Sequence, residues 1–392
     1  MAMDVVIVGS ARTPIGGFCG ALTDVSAPAL GSTAVRAALE RSGVAADQVD
    51  EVIFGNVLGA GLGQNVARQV SIGAGMAPSV GAATINKVCG SGLKAVMMAA
   101  QTIQCGDADL IVAGGTESMS RAPYLLPKAR AGYRMGNGEL IDSLITDGLW
   151  DVYNNMHMGT CGDRCAERYS FSRQGQDDFA VASYQRARKA QSDGSFASEI
   201  APVEIAGRKG TVTVEQDEGP ARFDEEKLRR LSPAFGKEGT ITAGNASSIN
   251  DGAAAVVVAS AEKAAALSVK PVARIVGYSS FSREPEWFTL APIGSLQRLL
   301  DRVGWSVADV DLFEINEAFA VVPMAAMKEL GIPHEKVNIH GGAVALGHPI
   351  GASGARVLVT LLGAMRARGA KRGVASLCIG GGEAVAMAIE AG

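Results

Sequence analysis

This sequence is short of several things that usually announce a function. Aromatic residues make up only 5% of its 392 residues, charged residues only 19%, and histidine occurs four times. Its 36 basic side chains stand against 40 acidic ones, a net charge of −4 with no basic tail, so bulk electrostatics give no reason to expect nucleic acid. No apolar run reaches the ~18–20 residues of a membrane helix, and no membrane partner is expected. Met1 leads almost directly into Val5-Val6-Ile7-Val8 without a basic leader, and Ile389-Glu390-Ala391-Gly392 carries no peroxisomal address, so a cytoplasmic location is expected. The six cysteines (Cys19, Cys89, Cys105, Cys161, Cys165, Cys378) form no C-x-x-C and read as free thiols. Cys161 and Cys165 lie one helical turn apart with only His157 nearby, which favours two small buried residues over a metal site. Phosphate and hydrolase signatures are missing too. There is no G-x-x-x-x-G-K-S/T, no G-x-S-x-G and no H-E-x-x-H, and Gly9-Ser10-Ala11-Arg12-Thr13-Pro14 lacks the dinucleotide pattern G-x-G-x-x-G.

What the chain does have is length, apolar residues at 47%, and glycine. Single cores stop growing near ~250–300 residues, so two or three domains are expected. Glycine accounts for 49 of 392 residues, well above the usual ~7%. It clusters in pairs and triples beside apolar runs, as in Gly114-Gly115, Gly341-Gly342 and Gly380-Gly381-Gly382, where backbone must approach something closely. The pattern predicts strands at 4–9, 52–54 and 110–113, and helices near 29–42, 64–75 and 91–104, the last apolar almost all round and therefore buried. The last third repeats this order: strands at 272–278, 312–315 and 374–378, helices near 294–303, 318–330 and 352–367. Residues match as well as elements. Gly90-Ser91-Gly92 parallels Ala352-Ser353-Gly354, and Ile111-Val112-Ala113-Gly114-Gly115 parallels Leu377-Cys378-Ile379-Gly380-Gly381. The reading is an α/β protein with one unit duplicated. A more charged stretch, 120–248, with an irregular portion at 216–233, reads as a large insertion lying over the core and a natural place for a bulky polar ligand.

Four residues could carry chemistry. Cys89 sits in Asn86-Lys87-Val88-Cys89-Gly90-Ser91-Gly92, immediately before a buried helix, where the helix dipole is expected to lower its pKa. His348 occupies the duplicated turn, Gly347-His348-Pro349-Ile350-Gly351, and a pseudo-twofold would bring it to the thiol as a base. Of the other histidines, His334 reads as an exposed turn residue and His340 as structural. Cys378 ends the last core strand before the glycine triple, whose N–H groups could form an oxyanion hole. Asn316, in Asn316-Glu317-Ala318-Phe319, could hold a water or a carbonyl oxygen, and by itself is as readily a helix cap.

Taken together, Val88-Cys89-Gly90-Ser91-Gly92, Asn316-Glu317-Ala318-Phe319, Gly347-His348-Pro349-Ile350-Gly351 and Cys378-Ile379-Gly380-Gly381-Gly382 closely resemble the thiolase family over essentially the whole chain. His157-Met158-Gly159 resembles its short-chain, biosynthetic-type members. The resemblance implies a thiolase fold, duplicated α/β cores in an α-β-α-β-α layering. Residues 1–119 with 249–270 would form the N-terminal core, 120–248 a loop domain carrying coenzyme A, and 271–392 the C-terminal core. It implies reversible ping-pong condensation of two acetyl-CoA to acetoacetyl-CoA and CoA, or thiolysis of short 3-oxoacyl-CoA, with no cofactor beyond these thioesters. Cys89 would be the acylated nucleophile, His348 its base and Cys378 the group that removes the α-proton. Asn316 with a water, and His348, would hold the enolate oxygen, and the N–H groups of Cys89 and Gly380 the acyl oxyanion. Leu149, His157, Met158, Arg222, Leu231, Phe235, Ala243 and Ser247 would line coenzyme A, with Phe288 and Phe319 near the acyl end. Glu286-Trp287-Phe288-Thr289-Leu290-Ala291-Pro292 resembles mitochondrial members that bind potassium, which implies an ion at Tyr184, Ala243, Gly244, Ala246 and Val344. A homodimer pairing into a homotetramer is expected.

Glu383, after the glycine triple, departs from the usual neutral residue; it would either disturb proton transfer or face solvent. A degradative thiolase of broader chain length, a ketoacyl synthase and a non-catalytic acyl-CoA-binding or lipid-carrier protein are the alternatives. Cys378 argues against the synthase, and the four candidates together against the carrier.

Overall fold

The computed structural model describes residues 3–207 and 210–392. The first half runs β1 (Val5–Arg12), α1 (Ala27–Ser42), β2 (Glu51–Gly55), α2 (Val66–Gly73), β3 (Gly81–Ile85), α3 (Ser91–Cys105) and β4 (Leu110–Ser118). An insertion carrying α4 (Met158–Tyr169) and α5 (Arg173–Ser192) precedes β5 (Asn250–Ser260). The second half runs β6 (Ala273–Ser282), α6 (Ala291–Val303), β7 (Leu312–Ile315), α7 (Val321–Leu330), α8 (Ile350–Arg368), β8 (Arg372–Ile379) and β9 (Glu383–Ala391).

The strands pair in the order β7-β8-β9-β6-β1-β5-β4-β2-β3, which reads alike from its middle outward. On either side of the β1/β6 junction the strands are antiparallel until the last steps, where β2 joins β4 and β3, and β7 joins β8, in parallel. The second half keeps only one bridging pair, Phe313 with Val337, where the first half has the full strand β3.

Alternation along the strands divides the interior into layers. In β5, Ala253, Ala255, Val257 and Ala259 share a core with α1 and α2, whereas Ala254, Val256 and Val258 face α3 and α8. In β8, Ala375, Leu377 and Ile379 face the same two helices, and Val374 and Cys378 turn to the layer of α6 and α7. The order is therefore helices, sheet, α3 with α8, sheet, helices. Helix α8 overturns one expectation, since it is long and apolar enough to cross a bilayer; it is almost wholly buried as the central core helix.

The two central helices touch backbone to backbone. A Cβ added at Gly354 would lie 2.3 Å from the Leu93 nitrogen, and one at Gly92 would lie 2.6 Å from the Ala355 nitrogen. No side chain fits there, and the first turns of both helices meet. The insertion is tied to the core by Arg12, whose buried guanidinium donates to Glu199 at 2.7 Å and to both oxygens of Asp217 at 2.7 and 2.9 Å.

Candidate active site

Beside the crossing of α3 and α8 opens a cleft of about 520 Å³. Cys89, His348 and Gly380 reach it from three different segments. The Cys89 turn is locally strained: Val88, a β-branched residue, sits at φ 44°, the left-handed region. Ser91 pins this turn, accepting from the Lys87 N–H at 2.8 Å and donating to the Val88 carbonyl at 2.7 Å. The backbone N–H groups of Gly380 and of Cys89 itself lie close enough to the thiol to favour its thiolate. Backbone donors beside a nucleophilic sulfur are the kind of group that stabilises an oxyanion on a carbon bonded to it.

The helix-end expectation for Cys89 is overturned. The thiol keeps solvent contact only through the cleft, and burial pushes it up to about 11, outweighing the two N–H groups that favour the thiolate. Cys89 precedes the N-terminal residue Gly90 rather than lying within the helix, and desolvation decides. Cys89 rests as a thiol and needs a base.

His348 lines the same cleft. Its Nδ1 lies 2.5 Å from the Ser353 Oγ, and that hydroxyl donates its one proton to the Pro349 carbonyl at 2.9 Å. The hydroxyl can then only accept, so Nδ1 carries the ring proton and Nε2 keeps its lone pair. Nε2 has no hydrogen-bond partner among the described residues. Burial, and then the positive charge of Arg356, push His348 down to about 3, which keeps the ring neutral.

Cys378 and Asn316 lie behind the cleft wall. Cys378 is fully buried at the end of β8, and burial followed by the neighbouring Cys89 raises its pKa well above the usual range. Asn316 is no helix cap: its N–H donates to the Ser376 carbonyl at 2.9 Å, its Oδ1 accepts from Arg356 at 3.2 Å, and its buried Nδ2 has no partner among the described residues.

Of the residues assigned to coenzyme A, Leu149, His157, Met158, Arg222, Phe235, Ala243, Ser247, Phe288 and Phe319 line the cleft. His157 stacks on Phe235 at 4.6 Å, and Phe235 and Phe288 each set an edge against Phe319. A Cβ at Gly159 would come 2.1 Å from the Phe235 ring, so that glycine permits the stack. Leu231 falls outside the wall and packs behind Gly244. Arg222 is exposed and engaged with Glu218 at 2.8 Å.

For potassium, Tyr184, Ala243 and Ala246 are on the wall, while Gly244 and Val344 sit behind it around Leu228. The donor set is a phenol and backbone carbonyls, neutral oxygens that suit a weakly held monovalent cation. Among the described residues no group of three His, Cys, Asp or Glu side chains could hold a metal. Cys161 and Cys165 are buried in the outer core of the second half. His334 is half-buried and stacks on Phe179, contrary to the exposed turn residue expected, and His340 is buried against Phe196.

The chain matches the family Thiolase, N-terminal domain over residues 5–262 and Thiolase, C-terminal domain over residues 269–391. It belongs to the thiolase family. It is 53% identical to acetyl-CoA acetyltransferase 2 of Arabidopsis thaliana over 99% of this chain and 97% of that one. It is also 53% identical to the Pseudomonas aeruginosa acetyl-CoA acetyltransferase over 98% and 99% of the two chains. Among solved structures, the Bacillus anthracis acetyl-CoA acetyltransferase superposes with TM-score 0.97 at 42% identity, covering 100% of this chain and 99% of that one. An Ascaris suum thiolase in complex with coenzyme A superposes with TM-score 0.94 at 44% identity, covering 99% and 100%.

In this thiolase Glu383 does not stand alone: it forms a part-exposed ion pair with Lys87, two residues before Cys89. Three groups at the site escaped the sequence reading. Ser91 and Ser353 hold the two turns. Buried Glu117 accepts from the N–H groups of Val57, Leu58 and Gly351, and so fixes the first turn of α8. The paired serines in the two matching turns were the available signal.

Proposed function

We infer that this thiolase is an acetyl-CoA C-acetyltransferase, condensing two acetyl-CoA to acetoacetyl-CoA and CoA, or cleaving a short 3-oxoacyl-CoA in reverse. The carrying observation is a thiol and an imidazole with a free Nε2 lone pair lining one cleft, together with the backbone of Gly380. The relatives named acetyl-CoA acetyltransferase, and the neighbour in complex with coenzyme A, support the substrate class.

In the first half-reaction the Cys89 sulfur attacks the acetyl carbonyl as its proton passes to His348 Nε2. The oxyanion is held by the N–H groups of Cys89 and Gly380. The C–S bond to coenzyme A breaks, and the departing thiolate takes the proton of Cys378. In the second, the Cys378 thiolate removes an α-proton from the next acetyl-CoA. His348, now protonated, and a water on Asn316 stabilise the enolate oxygen. The carbanion attacks acetyl-Cys89, and the freed Cys89 sulfur regains its proton from His348. Both thiols and the imidazole return to their starting states, and the cycle is ping-pong.

Labelled acetyl-CoA should leave an acetyl group on Cys89, readable by mass spectrometry; a clean wild-type protein with no adduct would reduce the reading to acyl-CoA binding. Rates of thiolysis should fall from acetoacetyl-CoA to longer and branched 3-oxoacyl-CoA. A faster C8 substrate would favour the broader, degradative reading.

The potassium reading rests on the phenol of Tyr184 and the backbone oxygens that Ala243, Gly244, Ala246 and Val344 offer, and it expects higher coenzyme A affinity in potassium than in choline buffer. For assembly, strand β3 ends the sheet with one edge unpaired, and Tyr124, Met135 and Leu140 are exposed on the insertion. These support a homodimer pairing into a homotetramer, which light scattering measures.

A further inference from the structure

Arg356 is one of the largest fully buried side chains of the protein, and beyond its charge acting on His348 no step above employs it. It projects from α8 toward the end of β7, where Glu314 and Asn316 stand two residues apart and so point to one face of the strand. The guanidinium spans both: Nη1 donates to Glu314 Oε1 at 2.8 Å, and Nη2 to Asn316 Oδ1 at 3.2 Å.

We propose that Arg356 is a positioning residue for the enolate step, its fork fixing the Asn316 amide with the oxygen on the cation and Nδ2 free to donate. The proposal rests on the reading that Asn316 serves the enolate oxygen. An amide's oxygen and nitrogen are nearly alike in shape, so packing alone does not choose between its two orientations. Against a guanidinium the choice is forced, because the flipped amide would set its N–H₂ against N–H donors. Nδ2 is left as a buried donor with no partner among the described residues. A buried donor without a partner is costly, and such groups concentrate where a ligand or intermediate supplies the acceptor.

The plain alternative is that Arg356 only neutralises Glu314, whose carboxyl burial raises and the guanidinium draws back down. A point charge would serve that purpose, whereas a fork is needed to reach two acceptors at once. Arg356→Lys separates the two roles. The lysine variant should melt close to the wild type and still form acetyl-Cys89. Its kcat for condensation and thiolysis should fall roughly 10- to 100-fold with KM little changed, a smaller loss than removing an oxyanion donor outright.

In case the lysine variant does not fold, Arg356→Met with Glu314→Met removes both charges, which buried pairs often tolerate. That pair should stay folded, lose kcat, and lose little more on adding Asn316→Ala. Wild-type kcat in either folded variant, or losses from Arg356 and Asn316 that simply multiply, would overturn the proposal. A wild-type protein that forms no acetyl adduct would instead overturn the functional reading, and this one with it.

Discussion

A thiol pushed up to about 11 holds little thiolate near neutral pH, so in the proposed mechanism Cys89 depends on His348 at the moment of attack. His348→Ala should therefore slow acetylation of Cys89 by roughly 10²–10⁴-fold, measured by rapid quench. Ser353→Ala leaves the ring free to put its proton on Nε2. A loss in kcat of roughly tenfold, equivalent to one lost hydrogen bond of about 1.4 kcal/mol, is expected with KM unchanged. Two buried groups give stability an opposed dependence on pH. His348 falls from 6.5 to about 3 on folding, so its contribution is present above pH 6.5 and is lost as pH drops toward 3. Glu117 rises from 4.5 to about 7, so its contribution is present below pH 4.5 and is lost as pH climbs through 7. Urea midpoints should fall less on the acid side in His348→Gln and less on the neutral side in Glu117→Gln than in the wild type. At this scale Cys89 and His348 were legible because a glycine-flanked turn before an apolar helix is a local pattern. The serines were not, because their bonds exist only once the turns close. The direction of the Cys89 shift was misread because the helix-end rule takes no account of the wall built around the thiol.

Helices α3 and α8 set the distance between the two turns, and their contact leaves no room for a side chain. Gly354→Ala would drive a methyl group to 2.3 Å from the Leu93 nitrogen. The helices must then part, at about 1–3 kcal/mol. A lower melting temperature should come with a fall in kcat larger than the stability loss alone would give, since Cys89 and His348 separate together. A variant with a lowered melting temperature and unchanged kcat would show that the crossing does not set the site. Both helices were legible from apolar residues on every face. Helix α5 was not, because beside Phe179 and Val181 it turns Gln176, Asp177, Ser183 and three alanines inward, which dilutes any apolar stripe. Strand β9 was missed for another reason: Ala384, Ala386 and Ala388 favour helix locally, and the strand forms because β6 and β8 pair with it on both sides.

Across the whole molecule, the duplicated order of elements gave the two halves away, and the near-palindromic sheet is its expression in space. What no local pattern could show is how the insertion is held. Arg12, Glu199 and Asp217 lie far apart in sequence and meet only in the fold. Arg12→Met strands two buried carboxylates and should cost about 3–5 kcal/mol. Limited proteolysis should then cut within 120–248 well before the core. The meeting of α3 and α8 also has a consequence in time. The ribosome delivers Cys89 about 260 residues before His348, and Cys378 later still. For most of synthesis the proposed nucleophile is present without its proposed base, the second thiol or the Gly380 N–H. On the proposed mechanism, acyl transfer then waits until α8 packs against α3 and β8 joins the sheet.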